Sequence, residues 1–90
     1  MIFEYDENKS SSNLIKHGID FESAKELWRD ENLVQLPSKQ SDEDRFLIIA
    51  NLYNKYWTAI ITYRNDNIRI ISVRRSRKNE EELYESFRVR

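Results

Sequence analysis

Three runs rich in β-branched and aromatic residues follow one another in the second half of the sequence, at 45–52, 56–64 and 67–74. The links between them are too short for anything but a reversal of the chain, which restricts these residues to an antiparallel meander. Asn65-Asp66, between the last two runs, suits a two-residue hairpin turn, because both residue types tolerate a left-handed backbone, although the usual glycine is missing. Residues 45–52 are apolar on both parities, which predicts a central strand covered on part of both faces. In 56–64, Trp57, Ala59, Ile61 and Tyr63 share one face, and Thr58, Ile60 and Thr62 share the other.

Upstream the period is helical. Residues 2–5 read as a short strand, and Asp6 offers its carboxylate to the free amides of a helix running from Glu7 to His17. Gly18, the only glycine, ends it. Asp20 caps a second helix, whose Phe21, Ala24, Leu27 and Trp28 recur at helical spacing on one buried face. A short strand at 33–36 is ended by Pro37, and 38–44 form a polar loop. After the meander, Asn79 is the expected cap of a last helix; Glu80, Glu81 and Glu82 lie in its first turn, and Leu83 and Phe87 form its stripe. The expected fold class is α+β: a short N-terminal strand, two N-terminal helices packed on a mainly antiparallel sheet of four further strands, and a C-terminal helix, with the helices on one face of the sheet.

At 90 residues the chain reads as a single domain, 1–90, with one core and no room for a cofactor-binding domain; no cofactor is expected. The absence of cysteine excludes disulfides and thiolate metal sites and predicts a reducing, cytoplasmic home. Acid in Met-Ile-Phe-Glu-Tyr-Asp, where a signal peptide carries base, and the lack of a long apolar run argue against export or a membrane.

The net charge of -1 hides an asymmetry: residues 20–44 carry a net of -5 and residues 63–78 a net of +5. Such a division points to an anionic ligand at one face and a cationic partner at the other, or to two patches that pair within the fold.

One histidine and no cysteine give poor support for a metal, and no elbow motif surrounds any serine. RNA supplies its own nucleophile. Cleavage through the 2′-hydroxyl needs a group to take that proton, cations for the charge developing on phosphorus, and an acid for the leaving 5′-oxygen. The planar fork of arginine suits the second task, and Arg69 and Arg74 are the first candidates. Lys9, His17, Glu80 and Tyr84 are candidates for proton transfer. Each has a structural alternative: His17 on free carbonyls at a helix end, Lys9 as a solvated side chain, Glu80 and Tyr84 explained by helix position and packing. Arg45 is a further RNA-binding candidate or, like Arg69, a cross-strand partner of the acidic loop. Arg75, Arg77 and Lys78 form a solvated surface that attracts phosphate.

Phe3-Glu4-Tyr5-Asp6 with Lys9, Asn13-Leu14, Lys16-His17-Gly18-Ile19 and Phe21-Glu22-Ser23-Ala24 resembles the opening of the BrnT family of type II toxins. Glu43-Asp44-Arg45-Phe46, Tyr63, the run Arg69-Ile70-Ile71-Ser72-Val73-Arg74, and Glu80 with Tyr84 continue the pattern over nearly the whole chain. The resemblance implies a RelE-like fold and a ribonuclease that cleaves RNA and arrests translation. It also implies neutralisation by a BrnA-like ribbon-helix-helix antitoxin, through which the pair binds operator DNA and represses its own operon. Lys9, His17, Arg45, Arg69, Arg74, Glu80 and Tyr84 match positions shared across the family. Ala50 and Val73 depart from its usual glycine and alanine. The alternative reading is a non-catalytic subunit that binds the antitoxin for autorepression.

Overall fold

A computed structural model of the chain describes residues 1–38 and 44–88. The expected polar loop therefore lies, but for Ser38 and Asp44, outside the described residues. In chain order the elements are β1 (Phe3–Glu4), α1 (Glu7–His17), α2 (Phe21–Ala24) continued by a 3-10 turn (Lys25–Arg29), β2 (Val34–Ser38), β3 (Arg45–Leu52), β4 (Lys55–Arg64), β5 (Asn67–Arg75) and α3 (Lys78–Phe87). The five strands form one sheet in the order β1-β5-β4-β3-β2, antiparallel throughout except for the short parallel pairing of β1 with β5. The α+β class and the meander are as the sequence implies. Among the described residues no helix is long and apolar enough to cross a membrane.

The caps explain the helical corner. Asp6 accepts from the amides of Asn8 and Lys9, Asp20 from that of Ser23, and Gly18 closes α1 in the left-handed region at φ 80°. Two polar residues of α1 are buried, and both are used. The Ser10 hydroxyl accepts the Phe21 N–H at 2.8 Å, tying α1 to the start of α2. Asn13 pairs its amide with Val73 in both directions, donating to the carbonyl at 2.8 Å and accepting the N–H at 3.1 Å, and donates to Ile19 O at 2.8 Å. An amide side chain thus stands in for a missing neighbour strand, since β1 pairs only with Ile68 and Arg69 of β5.

The expectation that all helices lie on one face is corrected. Register puts Ile48, Ala50, Trp57, Ala59, Ile61, Ile70 and Val73 on the face under α1 and α2, with Phe21, Ala24 and Leu27. On the opposite face α3 packs Tyr84 and Leu83 against Val34, Leu36, Ile49 and Tyr56. α3 covers the β2–β4 end, and among the described residues no other helix covers the rest of that second face.

Smaller expectations also change. Pro37 lies inside β2, because β2 is an edge strand and can turn a nitrogen without a hydrogen away from the ladder. The helix bearing Glu80 starts at Lys78, so Asn79 is not its cap; instead Glu80 reaches back to the Arg77 N–H at 2.8 Å. Phe87, expected on the stripe, is exposed, and Trp28 is only partly buried, with its ring edge-on to Phe3 at 4.9 Å. The link between β3 and β4 has two residues, since Leu52 pairs with Lys55, and both Tyr53 (φ 52°) and Asn54 (φ 64°) are left-handed, as are Asn65 and Asp66 in the next turn. A left-handed backbone costs a residue with a Cβ about 1–2 kcal/mol, least for Asn and Asp.

Candidate active site

The rest of the second face is built from alternate residues of three strands. Arg45 and Leu47 come from β3, Ile60 and Thr62 from β4, and Arg69, Ser72 and Arg74 from β5. The β4–β5 register shifts between Ile60, opposite Ser72, and Ile61, opposite Ile70, so Ile71 is an extra residue, a bulge.

Arg74 is the most constrained group of the face. Its two terminal nitrogens meet the two Glu80 oxygens at 2.8 Å each, a bidentate pair with side chains only 19% and 9% exposed. Glu80 also accepts from the buried Thr58 hydroxyl at 2.9 Å and the Arg77 N–H at 2.8 Å. Thr58, having spent its proton on Glu80, accepts from Ser76 at 2.8 Å. Burial alone would raise the Glu80 pKa, but Arg74, the Arg77 amide and Thr58 outweigh it and bring it down to about 2. A carboxylate so saturated with donors is a poor base at neutral pH. Its chemistry here is to orient Arg74, whose Nε–H and second Nη2 proton find no partner among the described residues.

Arg69 pairs with Glu4 at 3.0 Å and remains partly exposed. Its β4 partner Thr62 lies four residues from Thr58, the partner of Arg74, which separates the two arginines by about 13 Å of strand. Arg45, at the far side of the face, keeps a buried Nε that finds no hydrogen-bond partner among the described residues.

Tyr84 stands elsewhere. It is buried under α3, and its hydroxyl donates to Asp30 at 2.7 Å. Burial, then that bond, push its pKa up to about 12. Asp30 also accepts from the amides of Asn51 and Asn32, so it joins the 3-10 turn to β3 and α3; burial would raise its pKa, and these donors bring it down.

Lys9 and His17 lie on α1, across the free edge of β5. With Lys16, Ser12 and Asn13 they form one wall of a cleft of about 260 Å³ whose other wall is the bulge, Ile71 and Ser72. Arg75 points to the α1 side, its guanidinium 5.5 Å from the Trp57 ring, while Arg77 and Lys78 are exposed at the start of α3. The structure thus assembles Arg74 with Glu80 on one side of the β5 edge and Lys9 with His17 on the other; Arg69 is one step along, and Arg45 and Tyr84 are apart. Among the described residues no ion pair joins 20–44 to 63–78, so the two charged patches do not neutralise each other there. Sequence reasoning missed Thr58, the hydroxyl that helps fix Glu80, and the structural use of Asn13, whose signal was a helix-disfavouring amide in the middle of α1.

A family model described as the ribonuclease toxin BrnT of a type II toxin-antitoxin system matches residues 5–80. The chain belongs to the BrnT family. No curated protein matches it. Membership makes this BrnT chain a type II ribonuclease toxin, with RNA as substrate class and an antitoxin as counterpart. The match ends at Glu80, so it takes in the arginines of β5 and closes on the carboxylate that holds Arg74.

Proposed function

We propose that this BrnT chain is a metal-independent endoribonuclease that cleaves RNA at the free edge of β5. The 2′-oxygen attacks the adjacent phosphorus, the bond to the 5′-oxygen breaks, and the products carry a 2′,3′-cyclic phosphate and a 5′-hydroxyl. Arg74, aimed by Glu80, neutralises the charge that develops on the phosphoryl oxygens, and Arg69 holds the neighbouring phosphate. Lys9 and His17 are the proton-transfer groups: one takes the 2′-hydroxyl proton and the other supplies the 5′-oxygen. Histidine is the residue type suited to both tasks. Tyr84 has a structural role, because its proton is committed to Asp30. The donor set, a single histidine and no cysteine, supports a reading without a histidine- or thiolate-bound metal. Arg45, Arg75, Arg77 and Lys78 steer the RNA. A BrnA-like ribbon-helix-helix antitoxin blocks this edge and carries the toxin to operator DNA.

The observation that carries the reading is the Arg74–Glu80 fork, held rigid on the second sheet face with N–H groups that find no partner among the described residues. The test is cleavage of a defined oligoribonucleotide in excess chelator, with end-group analysis of the products. Arg74→Ala is expected to abolish cyclic-phosphate product, and His17→Ala and Lys9→Ala to reduce it by about 100-fold or more. Cleavage that stops with the chelator, or an active and folded Arg74→Ala protein, rejects the mechanism.

A further inference from the structure

The β3–β4 turn carries a side chain that the fold does not use. Tyr53 is 84% exposed, and among the described residues no hydrogen bond or ring contact engages it, yet it occupies a left-handed position where Asn, Asp or Gly is the favoured residue. A bulky aromatic at such an angle, without burial to compensate, points to a task outside folding.

Its surroundings indicate the task. On one side of the turn lies a hollow of about 220 Å³ with apolar walls from Ile19, Leu52 and Trp57 and with Lys55 at its rim. Arg75 stacks on that same Trp57. Neither Lys55 nor Arg75 has a carboxylate partner among the described residues. The other hollow beside the turn is lined by Glu26, Asp30, Arg29 and Arg88, and both of its arginines are already paired, Arg29 with Glu26 and Arg88 with Glu85. Aromatic surface with unpaired cations on only one side is the pattern that binds a single nucleic-acid strand, bases on rings and phosphates on cations. The position agrees: Thr58 faces Arg74 and Lys55 lies three residues along β4, so Lys55 is about 10 Å along the strand from the phosphate-holding fork, and Tyr53 sits in the turn just beyond it.

We propose that the β3–β4 turn is a nucleobase-stacking subsite, in which Tyr53 receives an unpaired base of the RNA near the scissile phosphate while Lys55 and Arg75 hold its backbone. The assignment rests on the ribonuclease reading above.

Tyr53→Asn separates function from structure, because asparagine relaxes the turn while removing the ring. The probe is a fluorescent single-stranded oligoribonucleotide, 2′-O-methylated to prevent cleavage, in intact form and as a set with one abasic position each. Anisotropy is expected to show about tenfold weaker binding for Tyr53→Asn, with an equal or higher melting temperature. Tyr53→Trp should bind as wild type does, and one abasic position should erase the difference between wild type and Tyr53→Asn. Cleavage of the unmodified RNA, run in parallel, tells the two readings apart. A cleaving wild type whose affinity and cut positions are unchanged by Tyr53→Asn overturns the subsite alone, and a wild type that neither binds nor cleaves overturns both. If Tyr53→Asn weakens antitoxin capture and leaves RNA binding intact, the turn is a protein contact and the subsite is rejected.

Discussion

Replacing Glu80 by Gln keeps the shape of the side chain and removes the charge that faces Arg74. The cost follows from the structure by two routes. Moving a carboxyl from its ordinary 4.5 to about 2 corresponds to about 3 kcal/mol of folding stability. Independently, leaving one member of a largely buried bidentate pair without its countercharge costs about 3–5 kcal/mol, and the 19% exposure of Arg74 favours the low end. A loss of about 3 kcal/mol in a domain of this size lowers the melting temperature by about 12–24 °C. The pH dependence has a definite sign. The Glu80 pKa is depressed on folding, so its contribution is full above the unfolded value of 4.5 and fades as pH falls toward 2. The gap between wild type and Glu80→Gln should therefore narrow by about 2 kcal/mol between pH 7 and pH 3. Urea denaturation of both proteins across that range measures it, and a cycle with Arg74→Met isolates the pairwise term. A variant within about 0.5 kcal/mol of wild type, or a gap that does not change with pH, would falsify the account of this pair. Where both proteins are folded, cleavage by Glu80→Gln should fall about tenfold or more, because the Arg74 fork loses its orientation.

Two further substitutions probe the frame around the site. Asn13→Ala leaves both backbone groups of Val73 without their partner and should cost about 2–4 kcal/mol in denaturation; Asn13→Asp should be worse, since a carboxylate would face the Val73 and Ile19 carbonyls. Tyr84→Phe removes the donor to Asp30 and should cost about 1–2 kcal/mol while cleavage per folded molecule stays at the wild-type rate. A folded but inactive Tyr84→Phe protein would return Tyr84 to the chemistry.

Local signals carried most of the secondary structure because they are local in cause. Asp6, Gly18 and Asp20 act on amides and carbonyls within a few residues, and each does so here. Asn65-Asp66 supplies the left-handed pair without glycine. Tyr53-Asn54 does the same, but was hidden because an aromatic residue gives no turn signal. The site was legible as a set of residue types and not as an arrangement. The structural alternative for Arg69 was a pairing with the acidic loop, whereas the side chain pairs with Glu4, 65 positions away in sequence, because β1 adds to the sheet in parallel beside β5. Nothing in the local pattern of either segment specifies that pairing. Thr58 was placed only on a strand face with Ile60 and Thr62, and only the arrival of α3 on that face makes it a donor to Glu80.

The placement of α3 was present in the pattern of β3. A strand apolar on both parities needs cover on both faces, since Ile48 and Ile49 point in opposite directions and both are fully buried. Helices confined to one face would have left Ile49 in water. With α1 and α2 over Ile48, the C-terminal helix had to cross to the other side, and Tyr84 and Leu83 close over Ile49 and Val34 there. That crossing has a chemical consequence. The strand must turn around the sheet edge after Arg75 to reach the second face, and the first turn of the helix then delivers Glu80 to Arg74. A helix one turn shorter would cover Ile49 less completely, and one packed on the first face would leave Arg74 free to pivot. The requirement that buries the centre of β3 is therefore the same one that fixes the guanidinium on the second face of the sheet.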